Sequence, residues 1–321
     1  MSTRILIGHC AHAADRPPLG RAEGYRDQVL AKLVEIGEIA QQTSADIMIF
    51  AGDLFDTKRP NFVSHFLVGQ IQSILRGYPC DVWLLPGNHD LGTAVDMERF
   101  LWQPLSRLEG GNVHIATGMK VVSAEDTAVF FRPYSAEDDL NPDYYKLTPP
   151  ELEISQKAPY VIVVAHGSVI PPGEQRPYPC VNFIEIDCTG IGLYYLGHLH
   201  EWLGVHLIDK TWFAGMGAIS RKARTQANLT HEPRVLLIEK ENELPPQMRE
   251  IKLTKVLLAE EIFIEQVRAE EGTSDEITAF ADALAEGLHT EQMPLDALLA
   301  GQDIDPAVKE KVKEYLVEAG L

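Results

Sequence analysis

The sequence predicts an α/β fold whose strands run parallel and are joined by crossover helices, and three patterns predict it. The first ninety residues alternate strand, helix, strand, helix, strand. Five apolar runs with the length of buried strands are each followed at once by a short motif rich in His, Asp or Asn. From about Thr254 onward the pattern changes to amphipathic helix.

Taken in order, Ile5-Leu6-Ile7 forms the first strand and ends at His9-Cys10-Ala11-His12. A polar loop from Asp15 to Gly24 leads to a helix whose buried face carries Val29, Leu33, Ile36 and Ala40. Ile47 to Phe50 is the second strand, running into Gly52-Asp53-Leu54-Phe55-Asp56. A second helix follows Pro60, with Phe62, Phe66, Leu67, Ile71 and Ile74 facing inward, and Val82 to Leu85 is the strand before Gly87-Asn88-His89-Asp90. Between Leu91 and Tyr160 the pattern loosens into a helix around Arg99 to Leu108 and strands near Val113 to Ile115, Lys120 to Ser123 and Ala128 to Arg132. The stretch from Ser135 to Gln156, rich in Asp and Pro, reads as an irregular surface loop. Val161 to Val164 and Leu193 to Leu196 are the strands before Ala165-His166-Gly167 and Gly197-His198-Leu199-His200. Leu203 to Ile208, Thr211 to Phe213 and Arg234 to Glu239 read as strands closing a second sheet.

The chain therefore divides into a main domain over residues 1–253 and an acidic helical appendage over 254–321. In the appendage Ser274 caps a helix with Ile277, Phe280, Ala281, Leu284 and Leu288 on one face. Asp305 and Pro306 start another, with Val308, Val312, Tyr315 and Leu316. These faces either pack within the chain or dock a protein partner.

At 321 residues and 45% hydrophobic, the chain can bury a large core. No apolar stretch approaches the roughly 20 residues a membrane-spanning helix needs, and Met1 to Arg4 runs straight into a strand. These features predict a soluble cytoplasmic protein without membrane contact. Cys10, Cys80, Cys180 and Cys188 are widely spaced with no C-x-x-C pair, which excludes a disulfide framework and a zinc knuckle. The net charge of −19 opposes autonomous gripping of a phosphate backbone. Bound divalent cations would offset it locally, as would the basic cluster Arg221, Lys222 and Arg224, which is either a solvated loop or a phosphate contact.

An open α/β sheet gathers the carboxyl ends of its strands along one edge, so the five motifs can converge on one crevice. Hydrolysing a phosphoester needs a strong nucleophile at neutral pH and neutralisation of the phosphoryl oxygens. Two divalent ions about 4 Å apart supply both by bridging a hydroxide. Their site needs a bridging carboxylate, neutral imidazoles and an amide carbonyl, and the motifs hold that mixture.

With motifs of this kind in this order, the chain resembles the calcineurin-like metallophosphoesterases, whose pattern is D-x-H, G-D-x-x-D, G-N-H-D or G-N-H-E, a lone His, and G-H-x-H. Four of the five match, and together the motifs span residues 10–200. The resemblance implies a four-layer αββα sandwich bearing a small C-terminal helical appendage. Within the superfamily, Ala51 to Pro60, Leu196 to His200 and Phe213 to Arg221 are most similar to the SbcD-type nucleases, which process DNA ends with an SbcC-type ATPase.

Carried over by motif position, one metal is expected on Cys10, His12, Asp53 and His200, and the other on Asp53, Asn88, His166 and His198. Asp53 bridges. His89 is the catalytic residue that contacts the scissile phosphate and protonates the leaving oxygen. Asp56 and Asp90 orient imidazoles or brace the site. The expected ions are two Mn2+. Cys10 departs from the pattern, since it stands where the family has Asp, and thiolate favours Zn2+ or Fe2+. Either Cys10 is a thiolate ligand, or its metal position is weak, or Asp15 or His9 supplies the donor.

The implied function is a metal-dependent phosphodiesterase, a DNA exo- or endonuclease acting in end processing or repair. The implied partners are DNA, an SbcC-type ATPase docked on the C-terminal helices, and a second copy in a homodimer. The alternatives are a phosphoesterase for a cyclic nucleotide or phosphomonoester, and a fold retained as a non-catalytic binding module.

Overall fold

The computed structural model describes residues 2–18, 20–57, 63–91, 101, 103–116, 121–124, 127–158, 160–176, 178–222, 224–241 and 244–264. Two compact units divide the chain: Met1–Pro172 with Val181–Ile264, and Gly173–Cys180 with Glu265–Leu321. In the second unit the described residues form an irregular stretch in which Arg176 pairs with Glu174 at 2.9 Å. The expected helices around Ser274 and Asp305 lie outside the described residues.

The first unit is built on two six-stranded sheets. One contains β1 (Ser2–Gly8), β2 (Ile47–Phe50), β3 (Asp81–Leu84), β4 (Val113–Ile115), β13 (Arg234–Glu241) and β14 (Gln247–Lys252), ordered β14-β13-β1-β2-β3-β4. Here β1 to β4 are parallel, as the early alternation predicts, and the last two strands add antiparallel. The other contains β5 (Val121–Ala124), β6 (Thr127–Arg132), β7 (Tyr160–His166), β10 (Leu193–Gly197), β11 (Gly204–Ile208) and β12 (Thr211–Gly215), ordered β11-β12-β10-β7-β6-β5, while β8 (Val169–Ile170) and β9 (Val181–Asn182) pair by themselves.

Side-chain alternation along each strand sorts the core into layers. Ile5 and Ile7 of β1, Ile47 and Ile49 of β2, and Leu236 and Ile238 of β13 meet Val129, Phe131, Ile162, Val164, Leu193 and Tyr195 of the other sheet. The intervening residues Leu6, Met48, Phe50, Val82, Leu84, Val235 and Leu237 pack against helix α1 (Tyr25–Thr43) and helix α2 (His65–Arg76), and the one-turn helix α3 (Asn88–Leu91) follows β3. On the far side of the second sheet, Arg132 of β6 and Tyr194 of β10 bond to the short helices α4 (Pro142–Tyr145) and α5 (Pro149–Ser155) and the Lys146 between them. The layers are helix, sheet, sheet, helix.

Several sequence expectations need correction. Arg234 to Glu239 joins the first sheet, where β13 lies inside β14 and is apolar on both faces, which suits an interior strand. Ser135 to Gln156 is not wholly irregular. The Asn141 side chain caps α4, and Glu151 accepts from the Thr148 N–H at 2.7 Å in a capping box that starts α5. Of the helix expected around Arg99 to Leu108, the described part is a 3-10 turn over Pro104–Leu108. Phe66 faces solvent, with the Arg26 guanidinium 5.9 Å above its ring. Residues 254–264, placed by sequence in the appendage, belong to the first unit, where the Thr254 and Lys255 N–H groups bond to Glu35. Among the described residues no helix is long and apolar enough to cross a membrane.

Candidate metal centre

Strand register decides which motifs become neighbours. In the first sheet Gly8 pairs with Phe50, and Phe50 with Leu84, so the loops after β1, β2 and β3 leave the sheet side by side. In the second, Gly197 pairs with His166, which sets His198 next to His166. The loop after β1 is then tied to the one after β2. Ala11 N and His12 N both donate to the Asp53 carbonyl, at 3.0 and 2.9 Å, and Ala13 N donates to Leu54 O at 2.8 Å.

Three of the converging residues hold left-handed backbone, His12 at φ 47°, Asp53 at 49° and His198 at 81°. Each costs on the order of 1–3 kcal/mol for a side chain bearing a Cβ, and such strain concentrates at functional sites. The glycines beside them are required by close approach. A Cβ on Gly52 would stand 2.0 Å from His166 Nδ1, and one on Gly87 would stand 2.2 Å from Asp53 Oδ1.

The donor atoms fall into three groups, of which two share Asp53 and the third joins His12, Asp56 and His89. Ligand atoms of Cys10, His12, Asp53 and His200 lie within 4.8 Å of one another, as do those of Asp53, His166 and His198. His12 Nε2 is 2.8 Å from His200 Nε2 and 3.8 Å from Asp53 Oδ2. In the second group His166 Nε2 lies 3.3 Å from Asp53 Oδ2, 3.2 Å from Asn88 Oδ1 and 3.3 Å from His198 Nδ1. Donors about 2.1 Å from one ion stand roughly 3 Å apart, so these separations fit shared cations.

Hydrogen bonding at His166 supports the same fit. Its Nδ1 donates to the Ala51 carbonyl at 2.8 Å, which leaves the lone pair of Nε2 facing a carboxylate and an amide oxygen. Three electron-rich atoms converge where only a proton or a metal ion relieves the repulsion. Burial opposes charge on His166, but Asp53 raises its pKa overall. His12 is held neutral, as a ligand requires, by burial and by His89 and His200. Burial also works against ionised Asp53, yet His166, His89 and His12 keep it well below the usual carboxylate range.

Cys10 is fully buried within the first group. Burial and the Asp53 charge push its thiol up, opposed by a hydrogen bond from the His198 backbone N–H. Ionisation at neutral pH would therefore rest on a cation in the group. Neither substitute donor is in the group. Asp15 accepts from the Ser64 hydroxyl at 2.9 Å and lies 3.6 Å from Arg26, and His9 Nδ1 accepts from Cys10 N at 2.9 Å.

His89 lies beside the first group, its ring 4.6 Å from that of His12 and perpendicular to it. Its backbone N–H donates to Asp53 Oδ1 at 2.8 Å, and its Nδ1 lies 2.8 Å from Asp56 Oδ1. Lys222 pairs with the other oxygen of Asp56 at 3.2 Å. Burial would raise Asp56, but His89 and Lys222 hold it well below the carboxylate range. Asp90 braces backbone, accepting from the N–H groups of Leu54, Phe55 and Gly87 at 3.2, 2.9 and 3.1 Å.

Of the basic cluster, only Lys222 has a contact within this centre among the described contacts. Arg221 is buried and donates to Leu257 O, and Arg224 is exposed. One neighbour was missed. Tyr134 stacks on His198 at 6.3 Å and meets His166 edge-on at 6.4 Å. It follows β6 at the same sheet edge as β7, so the strand-end rule that selected the motifs also applies to it.

The profile of the calcineurin-like phosphoesterase family matches residues 9–202, which contain all five motifs. No curated protein matches the chain. Among solved structures, a dimetal phosphatase from Danio rerio is similar with a TM-score of 0.50 at 11% identity, over 77% of this chain and 98% of that one. A protein from Thermus thermophilus has a TM-score of 0.47 at 12% identity, over 75% of this chain and 99% of that one.

Proposed function

The chain belongs to the calcineurin-like phosphoesterase family, and on that premise we propose that it is a metal-dependent phosphodiesterase of the SbcD nuclease type that cleaves DNA at its ends. The observation that carries hydrolysis is the sharing of Asp53 between two donor groups with His89 alongside. The nuclease assignment rests on the similarity of residues 51–60 and 196–200 to that class.

Cys10, His12, Asp53 and His200 would hold one cation, and Asp53, Asn88, His166 and His198 the other. When bound, the pair would neutralise phosphoryl oxygens and lower the pKa of a water. Asp56 fixes the His89 ring through Nδ1, and Nε2 is the atom that would donate to the phosphate and then to the leaving oxygen. Lys222, tethered to Asp56, adds positive charge on the same side.

The test is incubation of the full chain with Mn2+ and single- or double-stranded DNA, with His89→Gln as control. Cleavage lost in the variant supports the reading. Absence of cleavage, with or without an SbcC-type ATPase, overturns the nuclease assignment. A second reading, hydrolysis of a small phosphate ester, is favoured by the net charge of −19. Turnover of an aryl phosphodiester without DNA cleavage would select it.

A further inference from the structure

Arg221, unlike its neighbour Lys222, points away from the metal centre and donates to Leu257 O. Arg221 is 4% exposed, and its charge acts on two further buried cations, Arg21 and Lys32, each 3% exposed; Lys32 Nζ bonds the carbonyl of Ile219, two residues before Arg221. A buried charge is ordinarily paired, because removing it from water is costly. The chain follows that rule at Arg132, whose guanidinium makes a two-pronged contact with Glu151 at 2.9 and 2.6 Å and also donates to the Tyr144 and Lys146 carbonyls.

Arg21, Lys32 and Arg221 depart from it. Among the described residues none of the three has a carboxylate within 4.0 Å. Arg21 spends one nitrogen on Gln28 Oε1 at 2.8 Å, while its Nε and Nη1 are buried without a hydrogen-bond partner. Arg221 donates one nitrogen to Leu257 O, and its Nε is likewise buried without a partner. Lys32 Nζ donates to the Ile219 carbonyl at 2.9 Å. Glu35, the acid closest to Lys32 in charge effect, has one oxygen taken by the N–H and hydroxyl of Thr254 and the other by Lys255 N–H. The chain has 47 acidic residues against 28 basic ones, yet among the described residues these three buried cations have no carboxylate partner and three of their guanidinium nitrogens make no hydrogen bond.

We propose that Arg21, Lys32 and Arg221 close a buried site for one small tetrahedral oxyanion of the phosphate or sulfate class. Guanidinium groups present paired N–H donors that match such an anion, and a lysine adds a point charge. Aromatic rings wall the site, since the Arg21 guanidinium lies 5.0 Å from the Tyr25 ring and 5.2 Å from the Phe263 ring. Mutual repulsion shows the cations act on one another, because burial and the charges of Arg221 and Arg21 bring Lys32 down to about 7. An anion relieves that repulsion. The site is separate from the metal centre but linked to it, because the Tyr25 hydroxyl donates to the His12 carbonyl at 2.9 Å.

The test is thermal unfolding of the metal-loaded full chain during titration with inorganic phosphate, with sulfate and acetate in parallel. Phosphate and sulfate should raise Tm with the logarithm of concentration above Kd, by about 5 °C at a hundredfold excess, and acetate should not. The rise should shrink in both Arg21→Gln and Arg221→Gln, any remainder being the part that depends on added metal. No rise, a rise undiminished in both variants, or a response to acetate alone overturns the proposal. Should the variants fail to fold, crystals of the parent soaked in selenate decide it. An anomalous peak between the Arg21 and Arg221 guanidinium groups supports the site, and water alone there contradicts it.

Discussion

The Nε2 atoms of His12 and His200 face each other at 2.8 Å, although one follows a strand of the first sheet and the other a strand of the second. Both rings sit in the group that contains Cys10. A cation between them would tie the two sheets together at their shared edge, so metal and fold should stabilise each other.

Replacing Cys10 separates the roles open to its thiol. With Co2+ the parent should show a sulfur-to-metal charge-transfer band that Cys10→Asp and Cys10→Ala both lack. Cys10→Asp should shift preference from Zn2+ toward Mn2+, and Cys10→Ala should hold one ion fewer per chain. Full metal content and rate in the Ala variant would show that the thiol is no ligand.

Asp56→Asn should leave metal content intact and lower kcat by about 10- to 100-fold, because it removes the carboxylate that orients His89. Steady-state kinetics beside elemental analysis checks this, and equal loss of metal would reassign Asp56 to the ligand set.

Gly87→Ala should drive a methyl into Asp53 and lower stability by about 3 kcal/mol, with loss of bound metal. Gly69→Ala is the contrast, because it lies in α2 with open space around it. Its effect should be neutral or stabilising by up to about 1 kcal/mol in denaturant titrations.

The buried amine predicts an alkaline gain in stability. Lys32 loses its proton near pH 7 when folded, mainly through burial, whereas an unfolded lysine keeps it to about pH 10.4. The unfolded chain therefore binds more protons across that window, so stability rises with pH and is lost as pH falls toward 7. In phosphate-free buffer the gain from pH 7.5 to 9 should be roughly 2 kcal/mol, and absent in Lys32→Met.

Much of this was legible in the sequence because buried parallel strands are continuous apolar runs, and β1, β2, β3, β7 and β10 each end at a polar motif. The sheet that β13 joins was not legible, since a strand apolar on both faces does not declare its neighbour. The short helices α4 and α5 have their signal in the caps at Asn141 and Thr148 rather than in periodicity. Arg21 and Lys32 escaped notice because their burial comes from tertiary packing. Arg221, which the sequence leaves open between a solvated loop and a phosphate contact, is enclosed for the same reason.

The metal centre depends on Asp53 serving two cations at once. Elemental analysis of the parent and of Asp53→Asn, purified with excess divalent metal, tests it most directly. The expected result is two ions per chain in the parent and fewer than one in the variant, whereas a variant that still holds two ions, or a parent that holds none, would contradict it.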